Sequence, residues 1–410
     1  MRFTMISVGT RGDVQPYVAL GVELRRAGHE VRFATHANFA AFITGQGLEF
    51  ANLGGDPVKL VDGLMKCGTN PADFALTYYR FASAFFEEAL ENGYRACQDA
   101  DAVLYTNQTS GGSHPIVEKL NVPAFRMDIC PFDRTREFTA VVWPFDWDIN
   151  GLSHQVWQYA IHLVFRARVN RYRRRIGLSN YSLRYPYNDI SGRPIPVLYA
   201  YSPHVIPRPK EWGDHIHITG YWFLDQQQDW QPPAALLDFL ADGPAPVYVG
   251  FGSMSDADFE RVTHTALAAL KQNGQRGLLL TGWGGLGNGD LPDTVFKLDA
   301  APHEWLFPRM AAVAHHGGSG TTGAGLRAGK PTLIVPFLYD QPFWGKWIHK
   351  LGVGPAPIPR HKLTVENFAT ALKTAATDEG LRDRAALGEK ICAENGAVNA
   401  ARLIERYMTA

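Results

Sequence analysis

The sequence predicts an α/β protein of two doubly wound parallel sheets, and three observations carry that prediction. The chain has 410 residues, too many for one ordinary domain and comfortable for two. Short apolar runs alternate with amphipathic stretches in both halves, the pattern of parallel strands joined by crossover helices. Between the halves lies "RPIPVLYAYSPHVIPRPKEWGDHIHITGYWF", whose prolines interrupt the alternation.

In the first half, "RFTMISVG" reads as a buried strand that enters the turn "GTRGD". After Asp13, apolar Tyr17, Leu20, Leu24 and Ala27 recur at three- and four-residue spacing, which predicts a helix stopped by Gly28. "EVRFAT", "DAVLYTN" and "AFRMDI" follow as strands of the same sheet. From Phe132 to about Leu178 the chain is rich in aromatics and then in arginine, a helical insertion rather than sheet. In the second half, "APVYVGFGSM" is a strand and glycine turn, and "DFERVTHTALAALKQNG" is an amphipathic helix closed by Gly274. "RGLLLTGWGG", "MAAVAHHGGSG" and "KPTLIVPF" are further strand ends, and the last thirty residues read as two helices split at Asn395-Gly396. The predicted organisation is a first domain over residues 1–208, a linker over 209–224, a second domain over 225–380, and closing helices over 381–410 that cross back to the first domain. Ligands of such sheets sit at the carboxyl ends of strands, so a cleft where the two domains face each other is the expected site.

Composition narrows the class. Hydrophobic residues make up 46% and charged residues 20%, which suits a globular enzyme with ample core. Lys+Arg and Asp+Glu are both 40, so no global field draws nucleic acid. Cys67, Cys97, Cys130 and Cys392 are scattered without a C-x-x-C pair, which fits a reducing compartment and argues against a structural zinc site. The first apolar run is too short for a signal peptide, and no stretch of 18 or more apolar residues exists, so a cytoplasmic protein is expected.

The sharpest stretch is "HHGGSGTTGAGLRAGKP", where an apolar run meets two histidines, a glycine turn and a helix start. Backbone N–H groups at a helix N-terminus, with the dipole behind them, suit a phosphate. His316, Ser319 and Thr321 add side-chain donors, and no Gly-Lys-Ser/Thr closes a Walker loop. Downstream, Asp340 and Gln341 stand together at a strand end, suited either to sugar hydroxyls or to capping a helix. Upstream, His303 lies in "APHEWLFP". By itself Asp13 reads as a polar turn residue.

"HHGGSGTTGA" followed by "DQ", preceded by "APHEWLFP" and opened by "GTRGDVQPY", resembles the UDP-sugar-dependent glycosyltransferases of the GT-B fold, and among them the sterol 3-beta-glucosyltransferases. "VYVGFGSM", "TGWGGL" and "FRMDICPFDRTREF" resemble the same group, so the likeness runs along nearly the whole chain. The resemblance implies two Rossmann-like domains, UDP-glucose as donor, a hydrophobic acceptor and no metal. It implies that His316 meets the diphosphate, that Gly318, Ser319, Gly320 and Thr321 hold the phosphates, and that Asp340 and Gln341 read the sugar. Ala301 and His303 fall where the nucleoside is held, and Ser253 and Trp283 belong to the same donor side. Position 300 is alanine where plant members stack a tryptophan on uracil, and Ala324 replaces their ribose-binding glutamate. At the opening turn Asp13 takes the place of a histidine base, with Thr10, Arg11 and Gly12 beside the diphosphate. The implied chemistry is inverting transfer of glucose to an acceptor hydroxyl, that of a sterol or else of a polyketide, macrolide or other natural product. A UDP-sugar-binding protein without activity and an epimerase are the remaining alternatives. "DWD" at Asp146–Asp148 could mark a metal site, but two carboxylates alone are a weak signal. The arginine run from Arg166 to Arg175 reads either as a contact with anionic lipid or as a helix face paired with acids.

Overall fold

The computed structural model describes residues 1–56, 59, 63, 71–143, 147, 149–190, 192–224, 230–251, 259–280 and 291–409. They form two compact units. The first takes most of the chain from Met1 to Leu224 together with Glu394–Ala410, and the second takes Asp225–Ala393.

In the first unit the chain runs β1 (Arg2–Ile6), α1 (Arg11–Arg26), β2 (Glu30–Thr35), α2 (Ala40–Gly45), β3 (Glu49–Asn52), α3 (Pro71–Ala96), β4 (Ala102–Tyr105), α4 (Ser110–Leu120), β5 (Ala124–Asp128) and α5 (Asn150–Arg175). A small hairpin, β6 (Asp189–Ile190) and β7 (Arg193–Pro194), precedes β8 (Val197–Tyr199) and β9 (Ile216–Ile218). Seven strands pair in the order β3-β2-β1-β4-β5-β8-β9, all parallel. Phe3 lies beside Val31 and Ala102, and Met5 beside Phe33 and Leu104. Helices cover both faces, which is why β1 and β4 read as unbroken apolar runs rather than alternating ones.

The second unit contains α6 (Ala234–Ala241), β10 (Val247–Gly250), α7 (Phe259–Asn273), β11 (Gly277–Leu280), β12 (Val295–Leu298), α8 (His303–Leu306), β13 (Ala312–His315), α9 (Ser319–Arg327), β14 (Thr332–Ile334), α10 (Gln341–Leu351), α11 (Val365–Thr377), α12 (Glu379–Ala385) and α13 (Gly388–Cys392). Its five strands are parallel in the order β12-β11-β10-β13-β14. Val247, Val249, Ala312 and Ala314 face α7 and α11, whereas Tyr248 and Val313 face Leu236, Leu306 and Phe307.

Two boundaries differ from the sequence reading. Residues 209–224 are not a linker. Ile216 and Ile218 alternate with His217 to make edge strand β9 against β8, and Trp212 stacks on Tyr199 at 5.1 Å. Trp222 is buried against Tyr17. The return to the first unit begins at Glu394 rather than 381, because Leu381, Ala385 and Ile391 bury their side chains within the second unit. The closing segment accordingly holds three helices, the last being α14 (Gly396–Thr409). Ala397, Ala400, Ala401 and Ile404 recur on one face of α14 and enter the core beside α1. Glu394 takes the Ser202 hydroxyl, and the Asn399 amide donates to the Thr219 carbonyl at 3.3 Å, which pins the crossing.

In each sheet the strand order reverses beside the first strand: β1 lies between β2 and β4, and β10 between β11 and β13. Loops diverge at the carboxyl ends of such a pair and leave a crevice.

Candidate functional site

The site residues fall into two sets, one at the reversal point of each sheet. In the first unit β1 ends at Ile6 and α1 starts at Arg11, so Thr10 is the N-cap and Asp13 the third helical residue. The Thr10 amide and hydroxyl both donate to Asp13 Oδ2, at 2.8 and 2.9 Å. These two bonds fix the carboxylate. Oδ2 spends both of its lone pairs there, so Oδ1 is the oxygen with capacity for a further proton. Burial pushes the Asp13 carboxyl above the usual range, while the Thr10 bonds and one from Gln108, at the end of β4, pull it back.

The turn before it has a second anchor. Gly9 sits at φ +128°, and a Cβ there would stand 2.5 Å from Asp13 Oδ2. Only glycine lets the turn pass so close. The Gly9 amide donates to His36 Nε2 at 3.1 Å, and His36 Nδ1 faces the Gly54 carbonyl at 2.7 Å. His36 is therefore the neutral tautomer with the proton on Nδ1, consistent with the downward push of burial on its pKa. Arg11 is turned aside: its Nε donates to Gln15 at 2.9 Å and its guanidinium lies 5.1 Å from the Phe42 ring centre. Gly12 is exposed in the first turn of α1.

Behind these loops lies a buried ionic group. Asn107, next to Gln108, donates its amide to Asp128 Oδ1 at 2.8 Å. Arg126 Nε meets Asp128 Oδ2 at 2.8 Å and its Nη2 pairs with Asp133, which also takes the Tyr199 hydroxyl at 2.5 Å. Burial raises the Asp128 carboxyl to about 6 against the pull of Arg126. A pocket lined by Asn107, Phe132, Val141, His154, Trp157 and Gln158 opens beside this group. Sequence reading missed His36, Gln108 and Asp128. Each stands at or just past the carboxyl end of a strand neighbouring β1 or β4, a signal legible once the strand order is known.

In the second unit β13 ends in buried His315, and α9 starts at Ser319 with Gly318 as N-cap. Gly317 lies at φ +98°, where a Cβ would come within 2.7 Å of Ile334 and 3.2 Å of Gln341. The His316 ring folds over the helix start: a Cβ on Gly318 would lie 2.6 Å from its Nε2. The first intrahelical bond of α9 runs from the Thr322 amide to the Gly318 carbonyl, so the Gly320 and Thr321 amides point beyond the helix end. His316 Nδ1 is buried without a hydrogen-bond partner among the described residues. Burial, and then neighbouring His303, push its imidazole down to about 4, so it is neutral at pH 7. His303 stacks on Phe307 with ring centres 4.3 Å apart, and Ala301 packs half-buried in the same apolar cluster.

Asp340 is the N-cap of α10, yet its Oδ2 accepts from Trp344 Nε1 at 3.1 Å instead of capping backbone. Gln341 Oε1 accepts the Phe337 and Leu338 amides at 2.7 and 3.1 Å, which leaves its NH₂ as the group able to turn to a ligand. The structure thus brings His303, His316, the start of α9 and Gln341 together. Ser253, Trp283, Asp146 and Asp148 lie outside the described residues. The arginine run pairs with acids: Arg173 with Glu118 at 2.5 and 2.9 Å, and Arg175 with Glu87 and Glu91. Among the described residues no helix is long and apolar enough to cross a membrane.

Comparison with known proteins agrees with this fold. Residues 3–139 match the glycosyltransferase family 28 N-terminal domain, and residues 285–401 match the erythromycin biosynthesis protein CIII-like C-terminal domain. A sterol 3-beta-glucosyltransferase of Arabidopsis thaliana is 38% identical over all of this chain, which spans 66% of that protein. A second from the same plant is 35% identical, again over the whole chain and 68% of the relative. A fungal sterol 3-beta-glucosyltransferase, from Emericella nidulans, is 37% identical, and there the chain spans only 30% of the relative's length. Among solved structures, the calicheamicin glycosyltransferase superposes with a TM-score of 0.74 at 19% identity, covering 100% of this chain and 98% of its own.

The depressed His316 pKa has a consequence for stability. A histidine held neutral in the folded state binds fewer protons than the unfolded chain between its folded value, about 4, and the ordinary ~6.5. Stability from this group is complete above that window and is lost as pH falls through it. His316→Gln should therefore lose less stability than the parent between neutral and acid pH in urea unfolding. Equal losses would remove His316 from the acid response.

Proposed function

Because the chain belongs to the family of sterol 3-beta-glucosyltransferases, we propose that it transfers glucose from UDP-glucose to the 3-beta-hydroxyl of a sterol, with inversion at the anomeric carbon. The observation that carries the reading is the Asp13 carboxylate, locked through Oδ2 by Thr10 and left with Oδ1 to take a proton. In the proposed step Asp13 accepts the proton of the sterol hydroxyl. The hydroxyl oxygen bonds to the anomeric carbon from the face opposite UDP. The bond from that carbon to the diphosphate oxygen breaks, and UDP leaves with the electron pair. The raised Asp13 pKa moves the base toward the operating pH, where general-base catalysis is most effective.

On the donor side, the Gly320 and Thr321 amides, the dipole of α9 and the unpartnered His316 support a diphosphate site. Ser319 belongs to the same turn. Asp340 and the Gln341 NH₂ are assigned to the sugar hydroxyls, and Ala301 and His303 to the nucleoside. The helix N-terminus takes the charge-stabilising role that a cation has in other transferases, so no metal is assigned. The described cysteines, Cys97, Cys130 and Cys392, form no disulfide with one another, and the cytoplasm is the proposed compartment.

Three measurements check this reading. Asp13→Asn should lower turnover by at least about 10²-fold, the lower end of what a general base contributes, with donor affinity unchanged; turnover near the parent's would refute the base. In calorimetry, Asp340→Ala should weaken UDP-glucose and leave UDP unaffected, whereas equal losses for both ligands would take Asp340 off the sugar. Full activity is expected in excess EDTA; activity abolished by EDTA and restored by Mn²⁺ would return attention to Asp146 and Asp148.

A further inference from the structure

Helix α5 has two faces with different work to do. Its inner side buries Ser153, His162, Val169 and Tyr172, and through His154, Trp157 and Gln158 it lines the pocket that begins at Asn107. Its outer side presents Leu152, Val156, Tyr159, Leu163 and Val164 to solvent, with exposures from 41% for Tyr159 to 54% for Leu152. The first four recur at spacings of four, three and four, which makes one stripe along the helix. Trp147 just before the helix and Leu183 just after it are exposed as well. Seven of the eleven large apolar side chains exposed among the described residues thus lie between 147 and 183, a patch rather than the usual scatter.

We propose that this outer face of α5 rests on the surface of a lipid bilayer, the phase in which a sterol acceptor is dissolved. Three features favour a bilayer over a protein partner. Residues 150–175 contain no Asp or Glu, and the exposed charged positions beyond the stripe are Arg171, Arg174 and Arg175. Arg175 is paired with Glu87 and Glu91 and Arg171 with Glu87, whereas Arg174, which donates to Asn180, is the exposed arginine of this end without an ion pair among the described residues and offers one cation to a lipid phosphate. Trp147 and Tyr159 have the apolar body and polar tip that settle at a headgroup boundary. A single stripe of four side chains falls short of the roughly 800 Å² per partner that a stable protein interface buries, while an interfacial helix needs only one apolar face. The proposal rests on the reading of the acceptor as a sterol, a lipid dissolved in the membrane. It also moves the membrane contact from the arginine run to the apolar stripe.

The test is flotation of the purified protein with phosphatidylcholine vesicles, with and without phosphatidylserine and free of sterol. The parent should float with the vesicles, more so with the anionic lipid. Val156→Glu/Leu163→Glu should cut the bound fraction at least tenfold. The same variant should keep the parent's turnover on detergent-dispersed sterol, since neither side chain lines the pocket, and that turnover also shows that it folds. Equal flotation of parent and variant would overturn the proposal, as would a parent that never floats. A concentration-dependent dimer in sedimentation, broken by Leu163→Glu without any vesicle binding, would overturn it in favour of a second copy. The two readings fail separately: flotation without sterol glucosylation sinks the acceptor assignment, and glucosylation in detergent without flotation sinks the membrane face.

Discussion

The first unit's chemistry depends on one small contact, the pair of hydrogen bonds from Thr10 to Asp13 Oδ2. They close the N-terminus of α1 and aim a carboxylate in the same act. Capping residues are ordinarily worth about 1 kcal/mol of helix stability. Here the cap also decides which oxygen can take a proton. The contact is possible because Gly9 passes at φ +128° beside the carboxylate and because His36 holds the Gly9 amide. Strand β2 supplies that histidine, so the neighbouring strand sets the turn of β1.

The second unit solves a related problem with the opposite sign. Its turn gathers amides and a neutral imidazole rather than a carboxylate. The His316 ring lies where a side chain on Gly318 would go, and Gly317 sits where any side chain would strike Ile334. Burial keeps His316 uncharged and its Nδ1 unpartnered, a costly state for a polar atom in the absence of a ligand. Gln341 ties the loop from Phe337 to the start of α10 and abuts the same turn. The proposed donor site is thereby built from backbone more than from charged side chains.

Behind the turn of Asp13 lies the Arg126, Asp128 and Asp133 group. A buried ion pair contributes little net stability, because desolvation offsets its attraction, but removing one partner leaves a charge stranded. Asp128 also takes the Asn107 amide, so the group fixes the loop that carries Gln108. Arg173 does similar duty further along α5, with both Glu118 oxygens and the face of Tyr181 at 3.7 Å. Arg173 and Arg175, part of what looked like a lipid patch in the sequence, hold the helix to its unit instead.

The sequence alone determined the fold class and the glycine turn of the proposed donor side. Alternating apolar runs report burial on both faces of a parallel sheet, and "HHGGSGTTGA" carries its geometry in its own glycines. Those signals are local, since each depends on residues a few positions apart. What the tertiary structure decided is long-range. His36, Gln108 and Asp128 join Asp13 only because β2, β4 and β5 lie side by side in register with β1 or with one another. Ile216 and Ile218 become a strand because β8 offers a free edge, and the last helix belongs to the first unit because its apolar face fits against α1. The direction in which Arg173 and Arg175 point depends on Glu118, Glu87 and Glu91 far away in the chain, and spacing in the sequence cannot encode that.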